Sequence, residues 1–218
     1  MARYMDFEYE KNNSSIKIKN YCGSAKFVKI PSQIENLPVK EIGFSAFERC
    51  KALTEISVPN FVIEIGMCAF ADCISLKSVT LSESLKEISI GTFLGCTSLT
   101  NIKIPNSVTG IDLSAFEECH SLKSIDIPDS VTYIGECAFY RCSSLTSVTI
   151  SNSVTKIATW TFKECSSLTN VIIPDSVTEI EFGAFESCIS LKKITIPNSA
   201  KIAKDAFWDC DVVITSTK

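Results

Sequence analysis

One phenylalanine returns along the chain at a nearly constant interval. Phe47, Phe70, Phe93, Phe116, Phe139, Phe162, Phe185 and Phe207 are separated by 23 residues six times and then by 22. A cysteine follows three residues after each: Cys50, Cys73, Cys96, Cys119, Cys142, Cys165, Cys188 and Cys210. An isoleucine lies five before each, from Ile42 to Ile202, and a leucine six after all but the last, from Leu53 to Leu191. A one-residue slip would scramble all four columns, and only the final unit slips. Self-similarity at a fixed period of this length marks a stacked repeat architecture. Eight units occupy about residues 41–210.

A typical unit reads Leu99-Thr-Asn-Ile102-Lys-Ile104-Pro105-Asn-Ser-Val108-Thr-Gly-Ile111. The alternation at Ile102 and Ile104 predicts a half-buried strand. Pro105, Pro128, Pro174 and Pro197 stop that strand, because proline has no N–H for the next ladder bond. Asn-Ser or Asp-Ser after the proline favours a turn. A second short strand is expected at Val-Thr-x-Ile. The Ala-Phe-x-x-Cys stretch is too short for an independent helix and is expected to form a 3₁₀ or single helical turn. Such a unit cannot close a core alone, whereas stacked copies bury a continuous apolar column. The expected fold is a right-handed superhelix, with a parallel β-sheet on one face and short 3₁₀ or helical turns opposite. Coils would repeat at ~4.8 Å, so eight would span roughly 40 Å.

The pattern Leu-x-x-Ile-x-Ile-Pro-x-Ser-Val-x-x-Ile-Gly-x-x-Ala-Phe-x-x-Cys resembles the BspA-like (Treponema pallidum type) leucine-rich repeat. Cys142-Ser-Ser-Leu145-Thr-Ser-Val148-Thr-Ile150 and Ile173-Pro174-Asp-Ser-Val177-Thr-Glu-Ile180 carry it almost unchanged. The resemblance implies a first, longer coil at residues 30–43 and a capping segment before it. Phe7/Tyr9 and Ile16/Ile18 alternate on either side of Asn12-Asn13, as in a hairpin that would cover the first coil. The expected organisation is a cap and first long coil over 1–40, repeats over 41–210 and an end strand over 211–218. For function, the resemblance implies a surface protein of a bacterium or protist parasite that binds host or bacterial proteins.

Composition narrows the remaining classes. Of 218 residues 45% are hydrophobic, enough for a substantial core, and the net charge is a mild −4. No basic stripe with interleaved aromatics points to nucleic acid. Apolar runs fall far short of the ~20 residues of a membrane span. Met1–Glu8 has no apolar stretch and carries acids early, so no signal peptide is expected there. That favours an intracellular scaffold or regulatory module as the alternative to a surface adhesin, and the abundant thiols suit a reducing compartment.

The eleven cysteines invite a reading as disulfides or metal ligands. The count is odd, so at least one is unpaired. Column neighbours would lie near a permitted separation, but their parallel Cβ vectors suit the crossed disulfide torsion poorly. Cys68/Cys73 and Cys137/Cys142 have zinc-like spacing, but the two pairs belong to different coils. With His120 as the single histidine, mixed Cys/His sites have little to draw on. The column is therefore read as buried packing, with reduced thiols and no cofactor or metal.

No phosphate loop, nucleophile elbow or metalloprotease signature occurs, and His120 reads as a solvated loop residue. Acidic residues fall at variable positions, so no catalytic carboxylate pair is expected and the chain reads as non-enzymatic. Asn12-Asn-Ser and Asn13-Ser-Ser match the glycosylation pattern weakly. Candidate partner contacts lie where the repeat varies. The outward sheet column runs Ser57, Thr80, Lys103, Asp126, Thr149, Ile172 and Thr195, beside a second column ending at Lys193. Lys103, Asp126, Thr149, Ile172 and Lys193 are the candidates there. On the opposite face Tyr140 and Trp160 are aromatics at variable positions, whereas Trp208 reads as cover for the last coil. The expected role is recognition of a protein ligand. Glycan binding ranks low because the sheet columns lack aromatics.

Overall fold

The computed structural model describes residues 2–216. Each unit forms one coil, with two short strands in all but the unit that holds residues 101–104. The first holds Glu55–Ser57, Ser78–Thr80, Ser124–Asp126, Ser147–Thr149, Asn170–Ile172 or Lys193–Ile196. The second is the expected Val-Thr-x-Ile strand, two residues long, from Glu64–Ile65 to Lys201–Ile202. Pairing between coils is parallel and keeps the repeat register, so Asp126, Thr149, Ile172 and Thr195 stand in one row. The result is the expected leucine-rich-repeat solenoid. Among the described residues no helix is long and apolar enough to cross a membrane.

The core is a column of phenylalanines. From Phe47 to Phe207 successive ring centroids are 5.2–5.5 Å apart. The isoleucine, leucine and valine columns close around it, and Ile88, Leu99, Val108 and Phe116 are all completely buried. Phe47 is tilted by 31° from Phe70, but from Phe70 onward the rings are near-parallel and gain from stacking as well as from burial.

The expected 3₁₀ or helical turns opposite the sheet are replaced by hydrogen-bonded turns; the described residues contain no helix. The reason lies in two left-handed positions per coil. Two residues before each phenylalanine from Phe47 to Phe185, Ser45, Cys68, Gly91, Ser114, Cys137, Trp160 and Gly183 have φ between 51° and 58°. Two residues after it, Arg49, Asp72, Gly95, Glu118, Arg141, Glu164, Ser187 and Asp209 have φ between 56° and 68°. Each interrupts the right-handed backbone, and all but Asp209 in the last coil turn their N–H toward the next coil. Thus Ser114 N donates to Glu136 O at 3.0 Å, and Glu118 N to Tyr140 O at 2.8 Å. The phenylalanine between them does the same, with Phe116 N to Ala138 O at 2.8 Å. Coils are thereby laced along the turn side as well as along the sheet.

At the start, β1 (Ala2–Tyr4), β2 (Phe7–Lys11) and β3 (Ile16–Tyr21) form an antiparallel set. The β2–β3 hairpin is the expected one; β1 was not foreseen. Asn12 Oδ1 accepts the N–H groups of Ser14 and Ser15 at 2.9 and 2.8 Å, so this asparagine shapes the hairpin turn. β3 pairs with β6 (Leu37–Ile42), and Tyr21 stacks on Phe47 at 5.2 Å, extending the aromatic column into the first coil. β4 (Phe27–Lys29) joins the long face beside Glu55–Ser57. β5 (Gln33–Ile34) folds back on β6 through the left-handed pair Glu35 and Asn36.

The sheet along the long face is discontinuous. Residues 101–104, whose sequence looks like every other strand, pair with neither neighbouring coil. The face therefore divides into a three-stranded and a five-stranded sheet. The last strand, Val213–Ser216, pairs with Lys193–Ile196 and forms the far edge. Residues 217–218 of the expected end strand lie outside the described residues.

Candidate partner-binding surfaces

The cysteine column comes first because it seemed the most chemical feature. Cys73, Cys96, Cys119, Cys142, Cys165 and Cys188 are fully buried, and all eleven cysteines are free. Packing is only half of their role. Each Sγ donates to the carbonyl of the phenylalanine one coil earlier, for example Cys119 to Phe93 O at 3.3 Å and Cys142 to Phe116 O at 3.1 Å. That carbonyl also accepts an N–H from its own coil, as when Cys119 N donates to Phe116 O at 3.2 Å. The thiol thus fills the second lone pair of a buried carbonyl that water cannot reach. Burial pushes the Cys96 thiol up to about 12 and raises Cys119, Cys142 and Cys165 as well. These groups are poor nucleophiles and poor metal ligands. Cys68 and Cys137 occupy the left-handed position before the phenylalanine and are half-buried. Among the described residues no group of three His, Cys, Asp or Glu side chains could hold a metal ion.

Repeated surface threonines have a similar explanation. Thr109 Oγ1 donates to Lys86 O at 3.2 Å, Thr132 to Thr109 O at 3.1 Å and Thr178 to Thr155 O at 3.2 Å. Their recurrence reflects coil-to-coil bonding, which leaves the non-repeating positions to carry any specificity.

The sheet candidates divide between two places. Asp126, Thr149 and Ile172 are exposed in one in-register row, and Ile172 is 54% exposed. Lys193 stands in the adjacent column beside Val213. Lys103 lies on the unpaired segment and forms an ion pair with Glu83 at 3.2 Å. There it shares an open cleft of ≈460 Å³ with Asn101, Asn106, Ser124 and Asp126. Two further apolar side chains on this face had no repeat signal to mark them: Phe27 on β4 and Val213 on the last strand, 71% and 62% exposed. The polar face is thus bounded by apolar residues at both ends.

Tyr140 and Trp160 lie on the turn side and do not meet the sheet candidates. A shared cation connects them. Lys163 Nζ sits 5.9 Å from the Tyr140 ring and 5.2 Å from the Trp160 ring, and pairs with Glu186 at 2.7 Å. Trp160 packs edge-on against Phe182 at 6.1 Å. Its indole occupies the space a Cβ on Gly183 would need, so a side chain there would displace it. Trp208 is 63% exposed and does not seal the last coil, since Ile202 and Ile214 remain exposed.

His120 is half-buried rather than solvated, with Nδ1 2.9 Å from Arg141 O in the next coil. Arg141 bridges Glu118 at 3.1 Å and Glu164 at 3.0 Å. This three-coil ion ladder ties the turn side together.

The comparisons agree with this geometry. The chain matches the BspA type leucine rich repeat region, in six copies, over residues 15–119 and 86–214. It is similar to the crystal structure of the T. pallidum leucine rich repeat protein TpLRR, with 34% identity, 87% of this chain and 90% of that one covered, and a TM-score of 0.82. It is also similar to a leucine-rich repeat protein from Bacteroides ovatus, with 25% identity, 99% and 71% coverage and a TM-score of 0.73. No curated protein matches. Repeat period, coil geometry and these matches together place the chain in the BspA-type leucine-rich repeat family.

Proposed function

We propose that the chain is a non-enzymatic protein-recognition module that engages its partner through the sheet face. One observation carries the reading: an in-register row of exposed side chains, Asp126, Thr149, Ile172 and Thr195, on a rigid stack, with a large apolar residue in its centre. A rigid surface loses little conformational entropy on binding, so many shallow polar contacts around one apolar anchor suffice. The finer role we propose is that of a surface adhesin binding host or bacterial proteins, by likeness to the family. The free and largely buried thiols favour one alternative, an intracellular scaffold in a reducing compartment.

The test is a pull-down from candidate partner material comparing wild type with Ile172→Asp and Lys103→Glu. Loss of the same partner in either variant, with the thermal transition unchanged, supports the sheet face. Undiminished recovery in both contradicts it. Fractionation of native cells separates the adhesin from the scaffold.

A further inference from the structure

Three residues before each core phenylalanine is a position that faces outward at the corner between the short strands and the turns. Its occupants are Phe44, Met67, Ile90, Leu113, Glu136, Thr159, Phe182 and Lys204. Glu136 and Thr159 show that the backbone accepts polar side chains here. Yet the first four coils all carry large apolar ones, with Phe44 65%, Met67 46% and Leu113 39% exposed. Backbone bonds hold them in register: Ser45 N to Met67 O at 3.0 Å, Cys68 N to Ile90 O and Gly91 N to Leu113 O, both at 2.9 Å. Three exposed apolar side chains, joined by the half-buried Ile90, form a stripe along this corner.

We propose that this stripe is a docking seam for an amphipathic α-helix of a partner protein, with basic residues flanking the helix's apolar face. Spacing supports the helix. The phenylalanines beneath these coils are 5.2, 5.5 and 5.4 Å apart. A helical heptad seam advances about 5.3 Å for each 3.5 residues, so one apolar residue meets each coil. Alternate residues of an extended strand advance about 6.6 Å and would fall out of step across four coils.

Charge supports the basic flank. On the strand side the stripe is bordered by Glu41 and Glu64, paired in register, and then by Glu87. Asp112 lies directly before Leu113. Lys17 binds Glu41, and Lys40 and Lys86 stand one position further out. Glu64, Glu87 and Asp112 border the stripe, Glu87 accepting the Tyr133 hydroxyl and Asp112 Oδ1 the Leu113 N–H, and Glu117 lies on its turn side. A second copy of this chain would bring an identical acidic border and, among the described residues, has no helix to offer. An anionic membrane would be repelled by the same acids.

This surface is separate from the sheet face, so Ile172→Asp and stripe variants report on the two proposals independently. The probe is a fluorescein-labelled helical peptide of about 18 residues, with leucines on a heptad seam and lysines flanking it. Anisotropy titrations compare it with a peptide of the same composition permuted to destroy the seam, and with a glutamate-for-lysine version. The expectation is binding of the seam peptide alone, weakened about tenfold or more by Met67→Thr with Ile90→Glu and several-fold by Glu64→Lys, while Ile172→Asp leaves it unchanged. The Thr and Glu substitutions copy residues the column already holds, so the fold is retained. Equal binding of seam and permuted peptides, indifference to Met67→Thr with Ile90→Glu, tighter binding of the glutamate peptide, or no binding up to about 1 mM would each overturn the proposal.

Discussion

Raising the pH should unfold this protein through its cysteines. Cys96, Cys119, Cys142 and Cys165 are buried, and burial raises all four thiols, Cys96 to about 12. In the unfolded chain a thiol ionises near pH 8.5. A thiol with a raised folded pKa contributes stability below the unfolded value, because both states are then protonated. Above about pH 8.5 the unfolded state sheds protons that the native state keeps, so stability falls. By pH 9.5 each thiol costs a little over 1 kcal/mol, and the four together roughly 5–6 kcal/mol, comparable to the whole stability of many domains. Cys73 and Cys188 each share a hydrogen bond with a half-buried end thiol, Cys50 and Cys210 respectively, and titrate with it. The assay is urea unfolding at pH 7.0, 8.5 and 9.5 with a phosphine reductant. The expected result is a small loss at 8.5 and a near-complete loss at 9.5. A Cys119→Ala/Cys142→Ala variant, though weaker at pH 7, should show about half the pH slope. Equal wild-type stability at pH 7.0 and 9.5 would refute the reasoning.

Four further outcomes follow from the stack. Phe116→Ala, between Phe93 and Phe139 at 5.4 and 5.3 Å, should cost about 3–5 kcal/mol in urea unfolding. Phe207→Ala, half-buried with one ring partner in the column, should cost about half as much, and equal losses would contradict the column account. Ser114→Gly should raise stability by up to about 1 kcal/mol, because it relieves a left-handed φ of 55° that Gly91 already adopts in the previous coil; a lowered transition would count against that. Gly183→Ala should displace Trp160 and lower stability, seen as a red shift and quench change in tryptophan emission.

How much of this was readable from residues alone depended on which side of the coil they occupy. The strand and core columns were legible because Ile, Phe, Cys and Leu recur at fixed offsets wherever side chains point inward. The turn side was not. Its left-handed positions hold residues as different as Arg49, Asp72, Trp160 and Ser187, and only Gly91, Gly95 and Gly183 betray them. A backbone requirement met by so many side chains leaves little trace, so 3₁₀ or helical turns were expected where two interruptions per coil forbid them. The thiol-to-carbonyl bonds were hidden for another reason: a cysteine that packs and one that also donates look the same in a repeat. Residues 101–104 read as an ordinary strand, and nothing in Asn101-Ile102-Lys103-Ile104 announces that pairing stops there. The Phe44–Leu113 stripe was missed because its column turns polar at Glu136, which made the whole position look merely variable.

The repeating cysteines from Cys73 to Cys188 bond and pack between coils, where solvent does not reach them. Counting reactive thiols tests this most directly, with an aromatic disulfide reagent at pH 8 and peptide mapping of the labelled sites. The exposed Cys22 and the half-buried Cys50, Cys68, Cys137 and Cys210 should account for all labelling of the native protein. Cys73, Cys96, Cys119, Cys142, Cys165 and Cys188 should stay silent until denaturant is added, when all eleven react. Rapid native labelling of those six, or fewer than eleven thiols after denaturation without reductant, would contradict the account.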